Sequence, residues 1–355
     1  MTKVFIILGP TSTGKTSLAL DLCKEFNGEI ISADSRQVCK FMNVGTGKLP
    51  FGSKIKAEKQ DKCWDVNGIK VWAYDLATPD EYFSGVDFAQ FALNKARELE
   101  KAGKTIFVVG GTGFYIDLFT GKVKPSTVLP DLELRKSLKE MTLEDLQEKL
   151  FELNPKVYEK IDQKNKVRLV RAIEKELGIC GVPQIGGVPQ KKSNKKSLPY
   201  LENAKFIYVG LRAPREILYK KADEWVEKVW EGGLVEEVQQ LIKKGYEKSP
   251  KLQGLVYKSA LEFIHRERTK EEAIQLSKFA LHAYIRRQLT YFARKDRELE
   301  HIDGSITLPK QKKGDSGLQS RVLPFKKNPE ISWADISKDG YRKIIYNMVK
   351  GELKN

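Results

Sequence analysis

A chain of 355 residues is long enough for one large or two moderate domains with a real core, and its 41% hydrophobic content is ordinary for a globular protein. No apolar run approaches membrane-spanning length and no basic stretch with a cleavage site precedes the first strand, so a cytoplasmic protein with no membrane association is expected; four scattered cysteines and three histidines argue against a disulfide framework and a structural zinc site. The 63 Lys+Arg against 47 Asp+Glu give a net charge of +16, which fits a polyanionic partner such as nucleic acid or a merely basic enzyme.

The first 120 residues alternate strands and helices. Val4-Phe5-Ile6-Ile7-Leu8 reads as a buried strand, and Leu18, Leu22 and Phe26 recur behind it at helical spacing. Between them, Gly9-Pro10-Thr11-Ser12-Thr13-Gly14-Lys15-Thr16 fits the phosphate-loop pattern G-x-x-x-x-G-K-[ST] in its proper strand-to-helix context. Glu29 to Ser32 makes a short strand ending at Ala33-Asp34-Ser35, and Val71 to Tyr74 another. Ser84 is placed to cap a helix with Phe88, Phe91, Ala92 and Leu99 on one side, and Gly103 stands where its C-terminus needs a left-handed residue. Thr105 to Val109 is the next strand, followed by Gly110-Gly111-Thr112-Gly113. This repetition predicts an α/β fold, a P-loop parallel sheet with helices on both faces, in which three turns meet at the carboxyl edge where ligands bind.

From Pro125 to about Gly178 the segments are charged and helical. Residues 181–199, with a repeated Gly-Val-Pro-Gln and the run Lys191-Lys192-Ser193-Asn194-Lys195-Lys196, read as an exposed flexible loop. A strand resumes at Phe206 to Leu211, and Pro214 opens a run of helices to about Arg294. The expected organisation is a core of 1–124 and 200–303, a helical insertion domain at 125–199, and a basic, partly flexible C-terminal extension at 304–355 with a short helix over Tyr341 to Met348.

The loop's N–H groups and the helix N-terminus make a site for an anionic oxygen cluster, with Lys15 as a movable cation and Thr16 as a hydroxyl for magnesium. An ATPase or GTPase usually places an acid at the end of a second strand for its metal, but the strand after Thr105 ends in Gly110; Asp34 and Asp75 are the strand-end carboxylates of the first half. Asp34 could assist magnesium, accept a proton from an amine, or cap a helix, and Ser35-Arg36-Gln37 suit hydrogen bonding to a heterocycle. Thr112 could present its hydroxyl beside the phosphate or bond its own turn.

In order, GPTSTGKT, ISADSRQV with Asn43-Val44-Gly45-Thr46-Gly47-Lys48, VVGGTGFY, the R-x-x-R-A-x-E helix over Lys166 to Glu174, Gly233-Leu234-Val235-Glu236-Glu237-Val238 and Arg287-Gln288-Leu289-Thr290-Tyr291-Phe292 resemble the tRNA dimethylallyltransferase family. With no C-terminal zinc-finger pattern, the likeness is to its bacterial members. The resemblance implies transfer of a dimethylallyl group from dimethylallyl diphosphate to the exocyclic amine of the adenosine 3′ of the anticodon (position 37), with release of diphosphate, by a monomer using Mg2+. It further implies that Gly9 to Thr16 hold diphosphate rather than ATP, that Asp34 orients and deprotonates the amine, and that Thr112 bonds the bridging oxygen. Ser35, Arg36 and Gln37 would line the base pocket. Arg135, Val167, Arg168 and Arg171 would reach the anticodon stem-loop from the insertion, and Gln253, Tyr257 and Lys258 would add contacts; a solvated basic face is the alternative for the arginines.

The chain departs from the pattern at Trp225, where the family has a helix arginine that reaches the diphosphate; Lys221 lies one turn away, and core packing beside Leu218, Val229 and Trp230 is the simplest expectation for Trp225. Cys39 replaces a tyrosine, Ser259 a glutamate, and about thirty extra residues precede Ile331 to Asp335, which resembles the family's closing strand. Two alternatives follow: a prenyltransferase acting on free adenine nucleotides, and a tRNA-binding homologue with weakened catalysis.

Overall fold

Strand β1 (Thr2–Leu8) is apolar from Val4 to Leu8 without alternation because both its faces are covered. The computed structural model describes residues 1–50, 55–126, 128–179, 201, 203–293 and 331–354; the loop expected at 181–199 and the stretch 304–330 lie outside them. After β1 come α1 (Lys15–Glu25), β2 (Gly28–Ser32), β3 (Ala57–Gln60), β4 (Cys63–Val66), β5 (Ile69–Trp72), α2 (Gly85–Lys101), β6 (Thr105–Gly110) and α3 (Gly113–Phe119). Ser84 caps α2 and Gly103 takes φ 64° just past its end, both as the sequence predicts, and Asp87 completes a reciprocal capping box with Ser84.

Helices α4 (Leu132–Glu140), α5 (Leu143–Leu153), α6 (Pro155–Lys160) and α7 (Lys166–Ile179) follow, and then β7 (Ala204–Arg212), α8 (Arg215–Glu231), α9 (Leu234–Lys243), α10 (Leu255–Ile264), α11 (Lys270–Ala293), β8 (Ile331–Asp335) and α12 (Tyr341–Lys354). The sheet runs β3-β4-β5-β2-β6-β1-β7-β8. The parallel sheet that the sequence predicts runs from β5 to β8, and β3-β4 and β4-β5 add an antiparallel edge to it. On one face Phe5 and Ile7 pack with Leu18 and Leu22 of α1 and with Ile345 and Val349 of α12. The C-terminal residues are therefore not a separate extension: β8 lies parallel to β7, and α12 helps cover the sheet.

The described residues divide into two compact units, one of β1 to α3, β7 to α11, β8 and α12, the other of α4 to α7. In the second unit α4 to α7 enclose Leu134, Leu138, Leu146, Leu150, Leu169 and Ile173. Its helices start on Asp131, Thr142 and Asn154, each accepting a backbone N–H of the following turn. Glu174 is fully buried. Arg135 grips it through two bonds of 2.9 Å, Arg171 donates to it from one turn away, and the Asp131 N–H donates at 2.6 Å. Burial alone would push the Glu174 pKa up, but the hydrogen bonds from Arg135, Arg171 and Asp131 outweigh it and hold the carboxyl below its ordinary 4.5. A depressed folded-state pKa stabilises the fold above the unfolded value, and that contribution is lost as pH falls through the folded value. Thermal unfolding followed from about pH 6 to about pH 3 should show Glu174→Gln less stable at neutral pH by about 2 kcal/mol and less acid-sensitive than the parent; equal pH slopes would mean that the carboxyl is not ionised.

Candidate active site

The phosphate loop occupies the turn between β1 and α1, with Ser12 and Gly14 left-handed at φ 64° and 76°. Gly14 at the N-cap offers no side-chain acceptor, so the first-turn N–H groups of α1 and the positive helix end are left to an anion. Thr13 and Lys15 both donate to the Pro10 carbonyl, at 2.8 and 2.7 Å. Burial lowers the Lys15 pKa to about 8, partly opposed by the negative charge of Asp34.

The ends of β2 and β6 approach so closely that a Cβ on Gly110 would lie 2.0 Å from the Ala33 carbonyl oxygen. Only glycine tolerates that contact, and it brings the turns after the two strands together. Ala33 donates to Val109 and accepts from Thr112, and the Thr112 hydroxyl accepts from the Ser35 N–H at 3.0 Å. The Thr112 hydroxyl thus bonds the neighbouring strand's turn rather than its own backbone. Asp34 caps that turn rather than a helix, accepting the Arg36 N–H at 2.8 Å. Two residues of α11 complete the arrangement: Tyr284, which lies outside the sequence motifs, and Gln288, which stands within one that assigns it no role. Tyr284 is hydrogen-bonded to Thr112, its pKa raised by burial and by the charge of Asp34. Gln288, buried, accepts the Thr11 N–H at 2.9 Å and donates to the Gly111 carbonyl at 3.1 Å, tying the phosphate loop to the turn after β6.

A loop over residues 43–48 forms another wall, and its organiser is Glu237 on α9. This buried carboxylate accepts the N–H groups of Asn43, Val44 and Gly45 and the hydroxyl of Tyr257 at 2.7 to 3.2 Å. Gln37 is buried, bonded to Ser32, Thr46 and Gly47, so its amide is spent on holding this loop. Lys48 is buried against Asp75, whose other oxygen accepts from the Trp64 indole at 2.6 Å, which removes Asp75 from consideration as a metal ligand at the phosphate loop. Arg36 donates to the Gly254 carbonyl at 3.2 Å and lies over the Tyr257 ring at 5.6 Å, with its buried Nε unpartnered. Tyr257 is itself wholly buried, whereas Gln253 and Lys258 are exposed.

These elements enclose a cleft of about 430 Å³ lined by Thr11, Ser12, Gly14, Lys15, Thr16, Asp34, Gln37, Gly47, Leu49, Pro50 and Val109, and on the α8 side by Lys221, Glu224, Trp225 and Lys228. Trp225 is half-buried at the cleft and does not join the core. The oxygens of Thr16 and Asp34 are hard donors that suit magnesium shared with a phosphate group, and among the described residues no cluster of three or more His, Cys, Asp or Glu forms a cage of its own. In the helical unit, Arg135 and Arg171 are committed to Glu174, while Arg168 is 3.6 Å from Asp162 and Val167 is exposed. Among the described residues no helix is long and apolar enough to cross a membrane.

The sequence profile of the IPP transferase family matches residues 37–296, and that of the isopentenyl transferases residues 2–64. The chain is 39% identical over 307 residues to a tRNA dimethylallyltransferase of Acetivibrio thermocellus, covering 85% of this chain and 91% of the relative. It is 34% identical over 298 residues to the enzyme of that name from Clostridioides difficile, covering 82% and 88%. The fold matches the crystal structure of the full-length tRNA isopentenylpyrophosphate transferase of Bacillus halodurans with a TM-score of 0.62 and 26% identity, over 100% of this chain and 97% of the other.

The depressed Lys15 pKa has a measurable consequence. Its ammonium is the form that holds an anion, and it deprotonates as pH rises through about 8. Calorimetric affinity for inorganic diphosphate should weaken across that range in the parent, and Lys15→Arg, which stays charged, should weaken less; parallel curves would show that Lys15 does not contact the anion.

Proposed function

Because the chain belongs to the IPP transferase family, we propose that it transfers the dimethylallyl group of dimethylallyl diphosphate to the exocyclic amine of the adenosine 3′ of the anticodon, position 37, in tRNA. The observation that carries this reading is that the phosphate loop and Asp34 line one cleft, so an anionic leaving group and a base for the attacking amine are served together. In that reading Asp34 takes a proton from the amine as its nitrogen bonds to C1 of the allyl group; the C1–O bond breaks, and its electron pair leaves with the diphosphate. The phosphate-loop N–H groups and Lys15 hold that diphosphate, while Thr112, whose oxygen accepts the Ser35 N–H and whose proton points to the Ser35 hydroxyl at 3.4 Å, turns that proton to the bridging oxygen. Most of the catalysis is alignment plus stabilisation of the leaving group. Magnesium bound through Thr16 would balance charge on the diphosphate. To reach Asp34 the adenine leaves the anticodon-loop stack, and Ser35 and Arg36 are placed beside it. The protein is read as a cytoplasmic monomer.

Incubation with tRNA and dimethylallyl diphosphate, followed by mass spectrometry of the nucleosides, tests the reading directly; modification of AMP but not tRNA would replace it with a free-nucleotide enzyme. Asp34→Asn keeps an acceptor for the Arg36 N–H but loses the base, and its single-turnover rate should fall by about 100-fold or more. A rate within about threefold of the parent would remove Asp34 from the base role. On the RNA side, Arg168 is part-exposed on α7 beside the exposed Val167 and 3.6 Å from Asp162, where its guanidinium can meet a phosphate. Arg168→Ala should weaken tRNA binding, lower the salt slope of log affinity by about 1, and leave diphosphate affinity unchanged.

A further inference from the structure

Dimethylallyl diphosphate has two ends with opposite needs. The charged end is met by the phosphate loop and by Lys221 and Lys228, which stand four residues before and three after Trp225 on the same face of α8 and line the same cleft. The branched five-carbon end needs an apolar surface. Among the lining residues that surface is made by Leu49, Pro50, Val109 and Trp225, of which Trp225 is the sole aromatic and the largest.

The indole is firmly seated. A Cβ on Gly47, which has φ 61°, would lie 3.3 Å from the Trp225 Cζ2, so the ring rests directly on that backbone; the Gly47 carbonyl in turn accepts from buried Gln37 at 3.1 Å, and the neighbouring stretch hangs on Glu237. A ring backed by fixed main chain makes a hard limit rather than a flexible cover. Its π face also suits an allylic group that gains positive charge as the C1–O bond loosens, which a third cation on this helix face would oppose.

We propose that Trp225 is the specificity-determining wall for the allylic group, restricting the donor to five carbons and leaving the diphosphate to the flanking lysines and the phosphate loop. The inference rests on the prenyl-transfer reading above.

Trp225→Ala, Trp225→Leu and Trp225→Phe are to be compared with the parent in tRNA prenylation from dimethylallyl and geranyl diphosphates, with inorganic diphosphate as a competitive inhibitor. Trp225→Ala should lose about 10-fold or more in kcat/KM for the five-carbon donor, shift the ratio toward the ten-carbon donor by a similar factor, and leave the inhibition constant of diphosphate within about twofold. Selectivity should rank Trp, Phe, Leu, Ala, and the first three decide the matter if the alanine variant does not fold. A ratio unchanged within about twofold, or a diphosphate inhibition constant that moves in step with the donor KM, overturns the proposal. A parent enzyme that prenylates tRNA while the variants keep its donor ratio defeats this inference alone; a parent that prenylates nothing defeats the reading beneath it.

Discussion

The contact between the ends of β2 and β6 is the constraint on which the site depends. Two parallel strands carry Asp34 and Thr112 in the turns that follow them, and a side chain at Gly110 would force those turns apart. With glycine there, the Ala33 carbonyl accepts from the Thr112 N–H and the Thr112 hydroxyl accepts from the Ser35 N–H, so the turns that carry Asp34 and Thr112 are set by main chain. Gln288 then carries the same order across to the phosphate loop with one side-chain amide. A chemistry that consists largely of alignment is well served by such links, because each removes a rotamer or a loop conformation that would otherwise have to be selected during binding.

Two lysines near the cleft show how the fold separates structural from functional charge. Lys48 is buried with a carboxylate and an amide oxygen as partners, and the aromatic rings of Trp64 and Tyr74 surround it, so its charge is consumed inside the protein. Lys15 donates to a carbonyl of its own loop, and its charge is only partly compensated. Glu237 and Glu174 play the Lys48 part among the acids: one gathers three N–H groups and a phenol, the other two guanidinium groups and an N–H. Each of these three buried charges fixes a loop or a helix pair, whereas Lys15 stands at the ligand site.

What could be read from the amino-acid order was whatever is contiguous. The phosphate loop, the helix cap at Ser84 and the strand-turn segments at Asp34 and Thr112 each hold their determinants within a few residues. The pairing of Arg135 with Glu174 spans 39 positions and depends on how α4 meets α7, so a basic residue expected to face RNA is instead part of a helix junction. Arg171 and Glu174, at helical spacing, carried a local hint of the same thing. Gln288 and Glu237 stood in segments that carry the family resemblance, but nothing local to them says which distant loops their side chains hold. The edge hairpin escaped because β3 is Ala57-Glu58-Lys59-Gln60, exposed throughout and without alternation. Trp225 shows the reverse error, since size and hydrophobicity predict a core position and the fold assigns it to a cleft.

The place of β1 in the sheet governs the order in which the protein can be assembled. β1 lies between β6, about a hundred residues further along the chain, and β7, about two hundred further. α1, which follows it directly, covers one of its faces but pairs with none of its backbone, and β8 and α12 close the same layer. The segment that founds the phosphate loop therefore completes its pairing only when strands about a hundred and about two hundred residues further along the chain are in place, so the loop's geometry depends on contacts of long sequence separation.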